Sequence, residues 1–358
     1  MSLENNSNHV KRVLVVEDSA LMGRQISNIL NSAPDLTVVG RARDGLEALS
    51  MVEEFKPDVI TMDVEMPRMN GITALKHVMM KYSIPTVMIS ALTTEGATTT
   101  FDALKFGAID VIAKPSQRED ESLEAQQADI VAKVRRAAEI RTGRARYIRI
   151  TTNLSAYAKQ GGGKPGETSR FIGIGAGTGG YYSLLRIIPA LPAGFEHVLI
   201  ANILIASRYV EPFVNYLDAY SEIPIKAVRN SMTLEKGVCY ICSYQDRLIV
   251  ERDGSGEVKL DFADAGADND LYKEAMVDKL FESLANTVGN RAVAVVLTGP
   301  GSAGALGLSE VRRVGGIGVV QDINNCMDPS MPIAVLEKSA VEKMLPDYLI
   351  ADFLLSLK

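Results

Sequence analysis

The chain has 358 residues and a formal net charge of −6, and this length favours two domains over a single core. The negative charge argues against a nucleic-acid partner, because such partners usually require a basic face. No apolar run approaches the ~18–20 residues that span a bilayer, and the first residues lack the apolar core of a secretory signal. We therefore expect a cytoplasmic protein with no membrane insertion.

Strand-like and helix-like segments alternate through residues 12–140, after an N-terminal tail at 1–11. Five apolar segments are each followed by a helical pattern: KRVLVVED, LTVVGRA, DVITMD, IPTVMIS and IDVIAKP. The fifth helix is predicted from about Glu119 to Ile140. Five β and five α units in alternation predict a parallel, doubly wound sheet of flavodoxin-like type with helices on both faces.

A linker is predicted at residues 141–170, where the periodicity fades. Its segment KQGGGKPGETS (159–169) is rich in Gly, Pro and Ser and predicts a flexible coil. Residues 171–358 then return to an α/β pattern, which predicts a second doubly wound parallel sheet of Rossmann-like type. A β-rich middle predicts an antiparallel insertion and contains GVCYICSY, RLIVERD and GEVKLDF.

Cysteines and histidines are few. Three cysteines do not make a disulfide framework, and the CxxC of Cys239 and Cys242 lies in a predicted strand, where buried thiols are expected. The three histidines are His9 in the tail, His77 on a helix, and His197 at the start of a strand. We expect His197 to be exposed.

Chemistry in a doubly wound sheet gathers at the carboxyl ends of its strands. In the first region these ends carry Glu17 and Asp18, then Asp63, Ser90 and Lys114. Converging carboxylates repel one another unless a cation lies among them, and a site with only oxygen ligands favours Mg²⁺. Asp63 is the best nucleophile for a phosphoryl group, with the metal and the lysine stabilising its charge.

The motifs VVEDSALM, VITMDVEMPRMNG, PTVMISALT and GAIDVIAKPS resemble the receiver domains of bacterial two-component response regulators. The resemblance implies that Glu17, Asp18 and Asp63 hold Mg²⁺ and that a chemotaxis-type histidine kinase phosphorylates Asp63. It also implies that Ser90 senses the phosphate and that Lys114 contacts it. Receivers usually carry an aromatic residue three positions before this lysine. Val111 stands there, so we expect a weaker conformational response.

The second region resembles the methylesterase domain of the chemotaxis CheB family, through IGAGTGG, ALPAGF, RYVEPFVNYL, NRAVAVVLTGPGSAGALGL and VVQDINNCMDPSMPIAVL. The family uses a Ser–His–Asp triad. By the resemblance, Gly177 stands at the serine position, Ile203 or Leu204 at the histidine position, and Ala303 at the aspartate position. None of these side chains can take over the role.

A displaced triad would need another base, and His197 lies roughly 23 Å of strand away from the expected position. Thr178 and Ser302 keep hydroxyls nearby, and we expect them to have capping or turn roles. The glycine-rich loop at 173–180 departs from the GxGxxG spacing of dinucleotide sites, so an anion site there is the minor alternative.

Two functions follow from these patterns. The leading hypothesis is a phosphorylation-controlled chemotaxis regulator whose second domain has no hydrolase chemistry and acts by binding. Its candidate partners are the kinase and the cytoplasmic tails of chemoreceptors. The alternative is an active protein-glutamate methylesterase or glutamine deamidase that acts on those receptors.

Overall fold

A computed structural model describes residues 10–90, 94–115, 122–140, 159, 161–244, 246–263, 275–339 and 341–358, with the backbone alone at 94–99 and 275. The chain divides into two compact units, residues 1–147 and 148–358. The tail with His9, the predicted helix start at Glu119 and linker residues 141–158 lie outside the described residues.

The first unit is built on a five-stranded sheet in the order β2-β1-β3-β4-β5, with every pairing parallel. The chain runs from β1 outward to β2 and then crosses to β3, so a crevice forms at the carboxyl ends of β1 and β3. The strands are Lys11–Val16, Leu36–Ala42, Val59–Asp63, Thr86–Ser90 and Asp110–Ala113, and the helices α1–α5 are Ala20–Asn31, Gly45–Phe55, Gly71–Lys81, Thr94–Lys105 and Leu123–Glu139. The predicted flavodoxin-like sheet is confirmed.

Local sequence explains where these elements begin. The side chains of Ser19, Asp44, Asn70 and Ser122 each accept a hydrogen bond from a main-chain N–H in the first turn of a helix, which satisfies donors that helix starts leave open. Every residue of β3 is buried, as expected for a central strand covered on both faces.

The second unit contains a seven-stranded sheet in the order β15-β14-β13-β6-β7-β10-β8, all parallel, and a three-stranded antiparallel sheet β11-β12-β9. The strands β6–β15 are Phe171–Ala176, Val198–Ile203, Ile225–Ala227, Met232–Thr233, Cys239–Ser243, Leu248–Arg252, Val258–Phe262, Ala292–Val296, Ile317–Gln321 and Lys343–Leu345. The helices α6–α11 are Gly180–Ile187, Ser207–Asp218, Ala275–Val288, Ala305–Arg313, Ser330–Lys338 and Asp347–Leu355.

The antiparallel insertion is confirmed, with one correction. The segment GVCYICSY supplies β10, which pairs in parallel with β7 and β8 in the main sheet. RLIVERD and GEVKLDF form the antiparallel pair β11–β12. Local periodicity does not distinguish these cases, because an apolar strand can pair in either direction.

Residues 161–169 of the predicted linker contain no helix or strand, as predicted for a coil, but they are hydrogen-bonded to the second unit. The amide of Gly162 donates to the carbonyl of Lys236 at 2.9 Å, and the amide of Lys236 donates to the carbonyl of Gly163 at 3.1 Å. The hydroxyl of Ser169, which is 3% exposed, donates to the carbonyl of Glu196 at 2.9 Å. This end of the linker is part of the second unit.

Across the described ranges, no helix has both the length and the apolar character that crossing a membrane requires.

Candidate functional site

Three carboxylates meet at the carboxyl end of the first sheet. Glu17 and Asp18 follow β1 and Asp63 ends β3. One oxygen from each lies within 4.8 Å of the others. Glu17 and Asp63 are each 4% exposed, whereas Asp18 is exposed. The sequence-predicted cluster is therefore assembled, with its open side at Asp18.

Lys114, one residue beyond β5, bridges two of these carboxylates. Its Nζ lies 2.7 Å from Oδ2 of Asp63 and 3.0 Å from Oε1 of Glu17. Burial lowers the pKa of Lys114, but the hydrogen bonds to Asp63 and Glu17 outweigh burial and leave that pKa above its ordinary value. The ammonium is therefore held in its charged form against the proposed acceptor.

Burial has the largest effect on the pKa of both Asp63 and Glu17. It raises the pKa of Asp63 despite the opposing hydrogen bond from Lys114. It also raises the pKa of Glu17, to which the charge of Asp63 adds a smaller contribution. One ammonium against three carboxylates leaves negative charge uncompensated, and a donor set made only of oxygens suits Mg²⁺.

The turn after β3 fixes the acceptor. The main-chain N–H groups of Glu65 and Val64 act to lower the pKa of the Asp63 carboxyl, against the larger effect of burial. A Cβ at Gly71, the first residue of α3, would lie 1.9 Å from the carbonyl oxygen of Asp63. Only glycine allows this close approach, so the MPRMNG turn positions the carboxylate through its backbone.

Ser90 ends β4 and is 4% exposed. Its Oγ accepts a hydrogen bond from Oγ1 of Thr100 at 3.0 Å, and Thr100 is fully buried on α4. Sequence reasoning missed Thr100, since nothing in the helical pattern distinguishes an inward threonine that meets a strand end. The contact links the predicted phosphate sensor to a helix.

In the second unit, Gly177 follows β6 and is enclosed by its neighbours. A Cβ built there would lie 2.6 Å from Cα of Gly299, 2.8 Å from Cδ of Pro300 and 3.3 Å from Sδ of Met331. Real Cβ atoms do not approach backbone carbon so closely. A larger residue at 177 therefore requires the 299–300 backbone to move.

Hydrogen bonds hold that enclosure in place. The amide of Gly177 donates to the carbonyl of Thr298 at 2.8 Å. The amide of Gly299 donates to the carbonyl of Asp328 at 2.9 Å, and that of Met331 donates to the carbonyl of Gly299 at 2.9 Å. Three chain segments are thus tied together around position 177.

Leu204 and Ile203 are the two candidates for the histidine position, and the structure places them differently. The amide of Leu204 donates to the carbonyl of Ala176 at 2.8 Å, directly before Gly177. Ile203 pairs with Ala176 within the sheet and is 2% exposed, whereas Leu204 is partly exposed. Since β7 ends at Ile203, Leu204 is the first residue after the strand. Successive strand residues face opposite ways, so the two side chains do not share a direction.

Ala303 lies in the turn before α9 and packs partly buried against the core. Sequence reasoning missed Asp278 on α8, which holds this turn. Its Oδ2 accepts the amide of Gly304 at 3.1 Å and its Oδ1 accepts the amide of Gly307 at 2.7 Å. A carboxylate from another helix therefore caps the start of α9, where the macrodipole favours negative charge.

The expectation that His197 is exposed is wrong, because it is only 8% exposed. Its Nδ1 accepts the amide of Arg170 at 3.2 Å, and its ring stands edge-on to Phe195 at 5.1 Å between centroids. Burial lowers its pKa. It precedes β7, at the opposite end of the sheet from Leu204, and has a structural role.

Thr178 and Ser302 lie in the turns before α6 and α9, where the N-cap residues are Gly179 and Gly304. Thr178 is 2% exposed, and among the described residues its Oγ1 has no hydrogen-bond partner. Cys239 and Cys242 are fully buried, as predicted, and burial raises the pKa of Cys239 to about 12. These thiols are therefore protonated near neutral pH and poor ligands.

The crevice of buried acids beside a lysine, on a sheet of order 2-1-3-4-5, belongs to the class of response-regulator receivers, and here it is joined to a second parallel-sheet unit. Family models agree. Residues 13–126 match the response regulator receiver domain, and residues 172–354 match the CheB methylesterase. The chain belongs to the CheB methylesterase family, and this pairing of domains fits a chemotaxis response regulator.

Relatives and a solved structure support this assignment. The chain is 37% identical over 336 residues to the protein-glutamate methylesterase/protein-glutamine glutaminase of Pyrococcus abyssi, covering 94% of this chain and 90% of that one. It is 34% identical to the protein of the same name from Thermotoga maritima, covering 98% and 99%. The crystal structure of the Thermotoga maritima CheB methylesterase catalytic domain matches with a TM-score of 0.50 and 27% identity, covering 53% of this chain and 99% of that one.

Proposed function

We propose that this chain is a phosphorylation-controlled chemotaxis regulator of the cytoplasm whose second domain acts by binding rather than by hydrolysis. The proposed domains are a receiver at 12–140, a linker at 141–170 and a methylesterase-like domain at 171–358. The proposed partners are a histidine kinase and the cytoplasmic tails of chemoreceptors. The close packing around Gly177 is the main observation in favour of a second domain that does not hydrolyse its partner.

Phosphorylation would begin with attack by a carboxylate oxygen of Asp63 on the phosphorus of a phosphohistidine. The new O–P bond forms as the P–N bond breaks, and the imidazole leaves. Lys114, 2.7 Å from Oδ2 of Asp63, stabilises charge on the phosphoryl oxygens. Glu17, Asp18 and Asp63 would hold Mg²⁺, which neutralises further charge on the phosphoryl group.

A phosphoryl oxygen on Asp63 would accept a hydrogen bond from the O–H of Ser90. The Oγ of Ser90 accepts a hydrogen bond from Thr100, so a rotation of the Ser90 side chain toward the phosphoryl group would lengthen or break that bond to α4. We propose this serine–threonine pair as the route by which α4 responds, in a chain with Val111 at the usual aromatic position.

Loss of hydrolysis is supported by what a Ser–His–Asp mechanism requires. A hydroxyl needs an imidazole within about 3 Å to activate it. The sequence has no histidine in this unit besides His197, which is buried before β7. Gly177, Leu204 and Ala303 offer neither a nucleophile, a base nor an orienting carboxylate. Binding to receptor tails or to another chemotaxis protein needs none of these groups.

The alternative, an active methylesterase or glutaminase, is favoured by the names of the relatives. A receptor-demethylation and deamidation assay on the full chain separates the two, with and without an acyl-phosphate donor and Mg²⁺. The Thermotoga maritima relative is the positive control. We expect no turnover above background in either state. Turnover comparable to that relative would contradict loss of hydrolysis and leave the receiver assignment intact.

A further inference from the structure

A cavity of about 520 Å³ lies in the second unit, far from Gly177. Its lining includes Phe171 at the start of β6, Val258 at the start of β12, and Arg291 just before β13. It therefore opens at the amino end of the main sheet, whereas Gly177 and Gly299 follow the carboxyl ends of β6 and β13. Its volume is within the ~300–1,000 Å³ of small-molecule sites.

The cavity has an apolar floor and a rim of mixed charge that includes two arginines. Phe171 and Leu234, each 1% exposed, belong to the core and form the floor with Val258. Arg252 and Arg291 line the rim. The guanidinium of Arg291 stacks over the Phe171 ring, 5.2 Å from its centroid.

Main-chain oxygens, not carboxylates, hold the two arginines. Arg291 Nη1 donates to the carbonyl of Gly166 at 3.1 Å. Arg252 donates from Nη1 to the carbonyl of Gly256 at 2.8 Å and from Nη2 to that of Thr287 at 3.3 Å. In the part of the chain that the structure describes, neither guanidinium has an ion pair. Each keeps N–H donors for a ligand.

Three acids, Glu167, Glu235 and Glu257, also line the cavity, together with Lys164. Glu235 pairs with Lys226 at 2.6 Å and Glu257 pairs with Lys164 at 3.4 Å, while Glu167 is exposed. Burial lowers the pKa of Arg291, and the like charges of Arg252 and Arg170 lower it further, while the charge of Glu167 opposes them. An anion placed between the guanidinium groups would relieve this repulsion.

We propose that this cavity binds a small organic anion, with an apolar body on Phe171, Leu234 and Val258 and a carboxylate or phosphate held by Arg252 and Arg291. Arginine suits both groups, because its planar fork matches their oxygens. The linker forms one wall through Gly163 and Gly166, and Arg291 already holds the carbonyl of Gly166. An occupied cavity would therefore fasten the linker to the second unit. This inference is independent of whether the unit hydrolyses anything.

Fluorescent naphthalene probes test the site on the full chain, which has no tryptophan to interfere. The probes are 2-naphthoate, 2-naphthyl phosphate, uncharged 2-naphthalenemethanol, and inorganic phosphate as a competitor. We expect saturable binding of at least one anionic probe, at least ~10-fold weaker binding of the alcohol, equivalent to about 1.4 kcal/mol, and poor competition by inorganic phosphate. Preference between the two anions would identify the natural headgroup as carboxylate or phosphate.

Variants locate the binding. The pair Arg252→Gln with Arg291→Gln should weaken the anionic probe at least ~10-fold, and Arg291→Lys should weaken it less. Arg313→Gln should change nothing, because this exposed side chain on α9 pairs with Glu310 and is not among the residues that line the cavity. Hydrogen exchange of the Gly162 and Gly166 amides should slow when probe is bound. Equal binding by wild type and a folded double variant, equal affinity for the alcohol, or no saturable binding would each overturn the proposal. If the double variant is unfolded, the Arg291→Lys and exchange results decide.

Discussion

The carboxyl ends of the two parallel sheets differ in what lies there: charged side chains in the first unit and closely packed backbone in the second. In the first unit this edge is a crevice of buried charge, where Lys114 bridges Glu17 and Asp63. In the second unit the corresponding edge is closed by backbone, with Gly177 held against Gly299 and Pro300. Both edges are formed by the carboxyl ends of parallel strands, although the sheets have five and seven strands. Chemistry thus belongs to the site and not to the fold.

The largest effect should come from removing the acceptor. Asp63→Asn keeps the shape and removes the nucleophilic carboxylate, so uptake of acid-labile phosphate from an acyl-phosphate donor with Mg²⁺ should fall on the order of 10⁴-fold. Asp35→Asn, which only removes a surface pair with Arg135, is the matched control and should retain uptake. Undiminished phosphate uptake by Asp63→Asn would show that Asp63 is not the phosphoryl acceptor and that the charged edge of the first unit does not have the proposed chemistry.

Adding a side chain at the closed edge should destabilise the second unit without creating activity. Gly177→Ser forces atoms against Gly299 and Pro300, and overpacking of this kind costs ~1–3 kcal/mol. Esterase activity should stay at background because the base is still missing. Chemical denaturation measures the stability.

Gly254→Ser is the control for that substitution, since nothing lies within 4 Å of a Cβ at Gly254. It should be nearly neutral. A Gly177→Ser protein as stable as the wild type would show that the 299–300 segment moves easily and that the edge is not closed.

A smaller effect should follow from uncoupling Ser90. Thr100→Val removes the hydroxyl donor and should cost about 1 kcal/mol of receiver stability. Phosphate uptake at Asp63 should remain. The change in hydrogen exchange of α4 on phosphorylation should shrink, whereas Thr100→Ser, which keeps the donor, should respond like the wild type. An α4 response that is unchanged in Thr100→Val would assign the coupling to other contacts.

The smallest effect concerns pH. The pKa of His197 in the folded state lies below its ordinary value of 6.5, because burial, with a smaller contribution from the charge of Arg170, outweighs the hydrogen bond with the Leu357 backbone and the charge of Glu196. As pH falls through about 6.5, the unfolded chain binds a proton before the folded one, so the free energy of unfolding decreases. His197→Gln should flatten this part of the stability–pH curve. Parallel curves for the two proteins would mean that His197 has the same pKa in the folded and the unfolded chain.

Much of the first unit was accessible from sequence. Alternating apolar and helical segments predicted its parallel sheet, and parallel strands bring their carboxyl ends to one edge. Glu17, Asp18, Asp63 and Lys114 could therefore be grouped without coordinates. What could not be predicted was Thr100, because a helix has many inward positions and only packing selects the one that meets Ser90.

The second unit divides in the same way. Sequence alone placed Gly177 and Ala303 at two of the triad positions, left the third open between Ile203 and Leu204, and showed that no histidine other than His197 is available in this unit. Only the tertiary structure decided that β10 joins the main sheet, that His197 is buried, and that residues 161–169 dock through Lys236 and Glu196. Each of these depends on contacts between residues far apart in the chain. Local periodicity predicts which secondary structure a segment can form. Long-range hydrogen bonds and close packing determine which other segment it packs or pairs with.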